Sequence, residues 1–117
     1  MIPYKELIVW QKAVEFSLCI YTLTSKFPES EKFGLVSQMR RASVSIPSNI
    51  AEGSKRGTVK DYVSFLRIAS GSGAELETQL YISQKLNYLS QKEYIKHEQD
   101  INEIMKILGS LIKKYSA

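Results

Sequence analysis

The 117 residues are 44% hydrophobic and 24% charged, with a net charge of +4. That is the balance of a globular domain, and the length predicts a single domain over residues 1–117. One cysteine, Cys19, excludes an internal disulfide. The longest uncharged runs, Phe16–Ser25 and Ala42–Ala51, have ten residues each, short of the ~18 a membrane span needs.

The start, Ile2-Pro3-Tyr4-Lys5-Glu6, has no basic stretch leading into an apolar run, so a cytoplasmic location is expected. Leu7 to Lys26 lacks Gly and Pro and predicts the first helix. Its apolar residues fill more than one stripe. Trp10, Ala13, Val14, Ser17, Tyr21 and Thr24 form one face, Phe16, Ile20, Leu23 and Phe27 another, with Leu18 and Cys19 between. A helix apolar most of the way round needs burial on more than one side. An interface with further copies of the chain, made by Trp10, Leu18 and Tyr21, satisfies that need. Toleration of Tyr21 and Cys19 on the surface is the alternative.

Phe27-Pro28 breaks the chain. The second helix is expected from about Glu31 or Phe33 to Gly53, which can cap its end. Leu35, Met39, Ala42, Ile46 and Ile50 keep to one face. Pro47 lies inside this run, where it removes an amide donor and crowds the Ser43 carbonyl. Either it bends a long helix around a core, or the bend shapes a basic surface. Asn49 or a nearby serine is expected to offset the lost bond.

Residues 34–60 hold five basic side chains, Arg40, Arg41, Lys55, Arg56 and Lys60, against one acidic, Glu52, so their excess equals the net charge of the chain. A local excess points to a polyanionic partner. Arg40 and Arg41 are about 100° apart on a helix and cannot share a role. Arg40, between Val36 and Val44, is expected to be the more buried and to pair with Glu75. Arg41 is expected to face outward.

Gly57 marks a turn, and Thr58 with Asp61 resembles a capping box that opens the third helix. Val59, Tyr62, Leu66, Ala69, Gly73, Leu76, Leu80 and Ser83 recur at spacings of three and four, a coiled-coil-like seam. Its centre, Ala69–Ala74, is all small residues. Two interior glycines disfavour a helix by ~1 kcal/mol each, so another backbone is expected close by. Gly71-Ser72-Gly73 lacks the third glycine and the preceding strand of a phosphate cradle. Asn87-Tyr88-Leu89 ends this helix. Ser90-Gln91-Lys92-Glu93 is a capping box for the fourth, whose stripe runs from Tyr94 to Tyr115.

Four helices and no run of two-residue alternation predict an all-α, antiparallel up-down-up-down four-helix bundle. Chemistry is thin. His97 is the single histidine, so zinc and di-iron sites lack ligands. Carboxylates two apart, such as Glu75 and Glu77, point away from each other on a helix. No catalytic residues, metal, cofactor, membrane contact or small-molecule substrate are expected, and the chain does not read as an enzyme.

Trp10-Gln11-Lys12-Ala13, Phe27-Pro28, Phe33-Gly34-Leu35, Gln38-Met39-Arg40-Arg41-Ala42, Ser45-Ile46-Pro47-Ser48-Asn49-Ile50-Ala51-Glu52-Gly53 and Gly71-Ser72-Gly73-Ala74-Glu75-Leu76 resemble the bacterial four-helix bundle proteins encoded within intervening sequences of 23S rRNA genes. The resemblance implies a ring-like homopentamer. It also implies kinship with the accessory variability proteins of diversity-generating retroelements, basic pentamers that bind nucleic acid and a reverse transcriptase. Two functions follow as expectations. One is binding of RNA or a ribonucleoprotein through Arg41, Lys55, Arg56 and Lys60. The other is a scaffold whose ring binds another polypeptide, with the arginines in internal ion pairs.

Overall fold

A computed structural model describes residues 2–116. It contains four α-helices, α1 (Ile8–Thr24), α2 (Leu35–Lys55), α3 (Val59–Lys85) and α4 (Gln91–Tyr115), and no strand among the described residues. Short 3-10 turns at Tyr4–Glu6 and Glu29–Glu31 precede α1 and α2. Among the described residues no helix is long and apolar enough to cross a membrane.

The two later helices begin on their own side chains. Thr58 Oγ1 accepts the Asp61 N–H at 3.1 Å. Ser90 and Glu93 form a reciprocal box, with the Glu93 N–H on Ser90 Oγ at 3.1 Å and the Ser90 N–H on Glu93 Oε1 at 2.8 Å. Each satisfies amides that a helix start leaves open. The residues before α1 and α2, Leu7 and Gly34, supply no such bond. For α2 the carboxylate of Glu31 takes the Leu35 N–H at 3.2 Å. Its second oxygen accepts the Tyr88 hydroxyl at 2.8 Å, which ties the start of α2 to the α3–α4 connection. That connection turns at Asn87, with φ +62°, and the α2–α3 connection at Gly57, with φ +93°.

The apolar stripes meet in one cluster. Ile20 of α1, Met39, Ile46 and Ile50 of α2, Leu66, Leu76 and Leu80 of α3, and Ile101, Ile104 and Leu108 of α4 are fully buried. In the seam of α3 every residue from Tyr62 to Ser83 is buried, while Val59 is exposed. A salt bridge from Lys12 to Glu103 joins α1 to α4, and one from Lys26, just beyond the end of α1, reaches Glu93 of α4.

Pro47 lies inside a continuous α2 and is buried. Asn49 does not reach the Ser43 carbonyl that Pro47 deprives of a donor. Its Nδ2 donates instead to the Ser45 carbonyl at 2.8 Å and to Ser45 Oγ at 2.9 Å. Ser45 Oγ meets Ser72 Oγ of α3 at 2.8 Å. On the other side Ser43 Oγ lies 3.2 Å from Ser17 Oγ of α1 and donates to the Arg40 carbonyl at 2.9 Å. Hydroxyl pairs thus fasten the proline-bearing stretch to both neighbouring helices.

Three glycines differ from their expected roles. Gly53 is no cap: it is buried inside α2, where an added Cβ would stand 2.7 Å from Phe65 Cβ and 3.3 Å from the Tyr62 carbonyl oxygen of α3. The helix runs on to Lys55, and the turn falls to Gly57. Of the small stretch in α3, Gly73 is covered by the Met105 side chain of α4, while a Cβ added at Gly71 would meet no neighbouring helix within 4 Å.

Candidate nucleic-acid interface

Lys55 ends α2, Arg56 follows it, and Lys60 lies in the first turn of α3. The left-handed Gly57 reverses the chain between them, so the three exposed cations share one end of the bundle. Arg56 is partly engaged. Its Nη2 donates to Glu52 Oε2 at 3.0 Å, and the guanidinium lies 4.9 Å from the Phe65 ring centroid. Arg41 is exposed too, but it precedes Lys55 by fourteen residues on the same helix, about 21 Å along the axis at ~1.5 Å per residue.

Tertiary structure adds cations that lie far away in sequence. The Lys55 ammonium sits 5.9 Å from the Tyr4 ring centroid. Ile2, Pro3, Tyr4, Lys5, Ser54 and Lys55 line an open pocket of about 530 Å³. Tyr115, at the end of α4, packs edge-on against Tyr62 with centroids 5.4 Å apart. It lines a second pocket of about 390 Å³ with Lys60, and the Lys114 ammonium lies 5.3 Å from its ring. Lys5, Lys113 and Lys114 therefore join Lys55, Arg56 and Lys60 at one end. Nothing local in the sequence marks these three. The short connections could have, since alternating helices bring the first, middle and last residues of such a chain together.

A model of the 23S rRNA-intervening sequence proteins matches residues 5–110. The chain belongs to this family. A crystal structure of a protein with unknown function from the S23 ribosomal protein family of Bacteroides thetaiotaomicron superimposes with a TM-score of 0.84 at 30% identity, over 91% of this chain and 96% of that one. No curated protein matches the sequence.

In this intervening-sequence protein Arg40 is half-buried and Arg41 exposed. Arg40 does not meet Glu75. Its Nε donates to Thr24 Oγ1 at 3.0 Å and its Nη2 to the Tyr21 carbonyl at 3.3 Å, with the guanidinium 4.6 Å from the Tyr21 ring centroid. Arg40 and Ser43 lie on the side of α2 that faces α1, whereas Ser45 faces α3. Glu75 is exposed on α3. Arg40→Ala is accordingly expected to lower stability by about 1–2 kcal/mol, through lost charged hydrogen bonds and a cation–π contact. Glu75→Gln is expected to stay within about 0.5 kcal/mol of wild type, roughly 2–4 °C in melting temperature, as for surface substitutions generally. Thermal melts of both variants check this; equal shifts would contradict the geometry.

The other candidate residues are dispersed. Leu18 and Tyr21 are 58% and 43% exposed on α1. Trp10 is half-buried and packs edge-on with Tyr4, centroids 5.3 Å apart. Two further tyrosines, Tyr88 and Tyr94, are committed to carboxylates. The Tyr88 pKa is raised chiefly by its bond to Glu31, and then by burial. The Tyr94 hydroxyl donates to Glu98 at 2.8 Å; burial first, then that bond, pushes its pKa up to about 12. Tyr94 shares a pocket with Glu77, Tyr81 and Glu98, which repels a polyanion. His97 Nδ1 is 2.7 Å from the Glu93 carbonyl oxygen. Among the described residues no group of three or more His, Cys, Asp or Glu comes together.

Proposed function

We propose that the protein is a non-enzymatic, oligomeric RNA-binding member of the 23S rRNA-intervening sequence family, engaging ribosomal RNA or a ribonucleoprotein through Lys55, Arg56, Lys60 and Arg41. The gathering of Lys5, Lys113 and Lys114 beside the first three carries this reading. Glu6, Glu52 and Asp61 lie near the same termini and only partly offset the charge. Counterion release from RNA makes such a cluster an electrostatic anchor with little sequence preference.

In this reading the helices run up-down-up-down, supported by the Ser17–Ser43 and Thr24–Arg40 pairs and by the joined ends. Copies assemble, most simply as a ring of five, through Trp10, Leu18 and Tyr21; the exposure of Leu18 and Tyr21 favours it. The reading needs no cofactor and places the protein in the cytoplasm. A scaffold for another polypeptide is the second reading. The engagement of Arg40 by α1 and of Arg56 by Glu52 and Phe65 favours it.

Fluorescence anisotropy with ribosomal RNA fragments at low and moderate salt separates the two. Wild type is expected to bind at low salt and weaken steeply as salt is added. Lys55→Glu/Arg56→Glu is expected to bind more weakly, with a salt slope shallower by about 1.4 if each residue meets one phosphate, at ~0.7 per phosphate on single strands. Absent binding at low salt, or binding indifferent to the charge reversal, favours the scaffold.

A further inference from the structure

We propose that the pocket between the Tyr4 turn and the end of α2 holds an unpaired RNA base, stacked on the Tyr4 ring with its flanking phosphates on Lys5 and Lys55. This rests on the RNA-binding reading and adds to it a preference for single strands.

Four observations converge on Tyr4. Its ring is held from one side, edge-on to Trp10 with centroids 5.3 Å apart. The turn that carries it is fastened to α1: the Leu7 N–H donates to the Tyr4 carbonyl at 3.0 Å, and Gln11 Nε2 donates to the Lys5 carbonyl at 2.9 Å. The pocket beside it, about 530 Å³, is lined by two lysines, Ser54, Ile2 and Pro3, with no carboxylate. The Lys55 ammonium 5.9 Å from the ring centroid shows that the ring is within reach of a charged group from that side. An aromatic face held in place next to exposed cations is the arrangement that single-strand binders use. The base stacks on the ring while the cations follow the backbone.

The other tyrosines near acids contrast with this one. Tyr88 is bonded to Glu31 and Tyr94 to Glu98, so a phosphate beside either ring would face a carboxylate. At Tyr4 the arriving base would displace Lys55 from the ring and free its ammonium for the phosphate. A duplex cannot do this, because its bases are already stacked and paired.

Trp10 is the single tryptophan, and its contact with Tyr4 makes its emission a local reporter. The test titrates the wild-type protein with three probes at low salt: a short unstructured RNA strand, an abasic strand of the same length and charge, and an RNA duplex. The proposal expects the unstructured strand to bind about tenfold more tightly than the abasic one, the scale of one base–aromatic stack. It also expects Trp10 emission to change with that strand only. Tyr4→Phe should keep the preference and Tyr4→Leu should lose it, with helix content checked by circular dichroism. Equal binding of all three probes overturns the stacking pocket and leaves the electrostatic reading standing. Binding of none overturns both. Because the comparison of strands uses wild type, it does not depend on how Tyr4→Leu folds.

Discussion

Gly53→Leu is expected to melt about 4–24 °C below wild type, or to fail to fold, as judged by a thermal melt followed by circular dichroism. An added Cβ would meet Phe65 Cβ at 2.7 Å, the Tyr62 carbonyl oxygen at 3.3 Å and Tyr62 Cα at 3.4 Å. None is the free end of a side chain, so relief requires α3 to move away from α2. The turn at Gly57 and Thr58 lies only a few residues beyond and holds the two helices together there. Overpacking of this kind destabilises by ~1–3 kcal/mol, and each kcal/mol moves a domain near this size by about 4–8 °C. Gly53→Ala is the milder test, because its gain in helix propensity, about 1 kcal/mol, offsets part of the clash. Gly73→Ala is expected to do better than Gly53→Ala, since the atom in its way belongs to the flexible Met105 side chain. A Gly53→Ala protein that melts at or above wild type would contradict the close approach.

Leu18→Glu is expected to reduce the particle to the 13.3 kDa of one chain, measured by light scattering at micromolar concentration. Leu18 is 58% exposed and Tyr21, one turn on, 43%. A carboxylate there is solvated in a lone protomer, so the helical signal should persist. In an interface the same carboxylate would be buried unpaired, at several kcal/mol, and the assembly should split. The proposed interface fails if wild type already runs as a single chain, or if the Leu18→Glu assembly stays intact.

Local signals carried most of the secondary structure. Ser90 and Glu93, Thr58 and Asp61, and Gly57 each specify a start or turn through bonds a few residues long, and the structure contains them. Gly53 shows where such signals fail. A glycine that follows an apolar stripe reads the same whether it caps a helix or admits a neighbour, and only Phe65, twelve residues later, decides. Arg40 failed for a related reason. A helical wheel says which face a side chain takes, and not which helix lies there, so α1 rather than Glu75 received it. The basic end was half legible. Residues 55–60 stand out by local charge, whereas Lys5, Lys113 and Lys114 join them only through the packing of distant segments.

Unequal helix starts give the two halves of the chain unequal autonomy during folding. The signals that start α3 and α4 lie within three residues of each start. The first amide of α2 depends on Glu31, which the Tyr88 hydroxyl from beyond α3 also holds, and Pro47 interrupts the ladder further on. The later hairpin is therefore expected to form first, with α2 completing itself against it. Kinetically, Thr58→Ala and Ser90→Ala, each worth about 1 kcal/mol, should slow refolding in proportion to their destabilisation. Tyr88→Phe should act mainly by speeding unfolding. Chevron plots of the three variants measure this, and a Tyr88→Phe effect confined to the refolding limb would reverse the order.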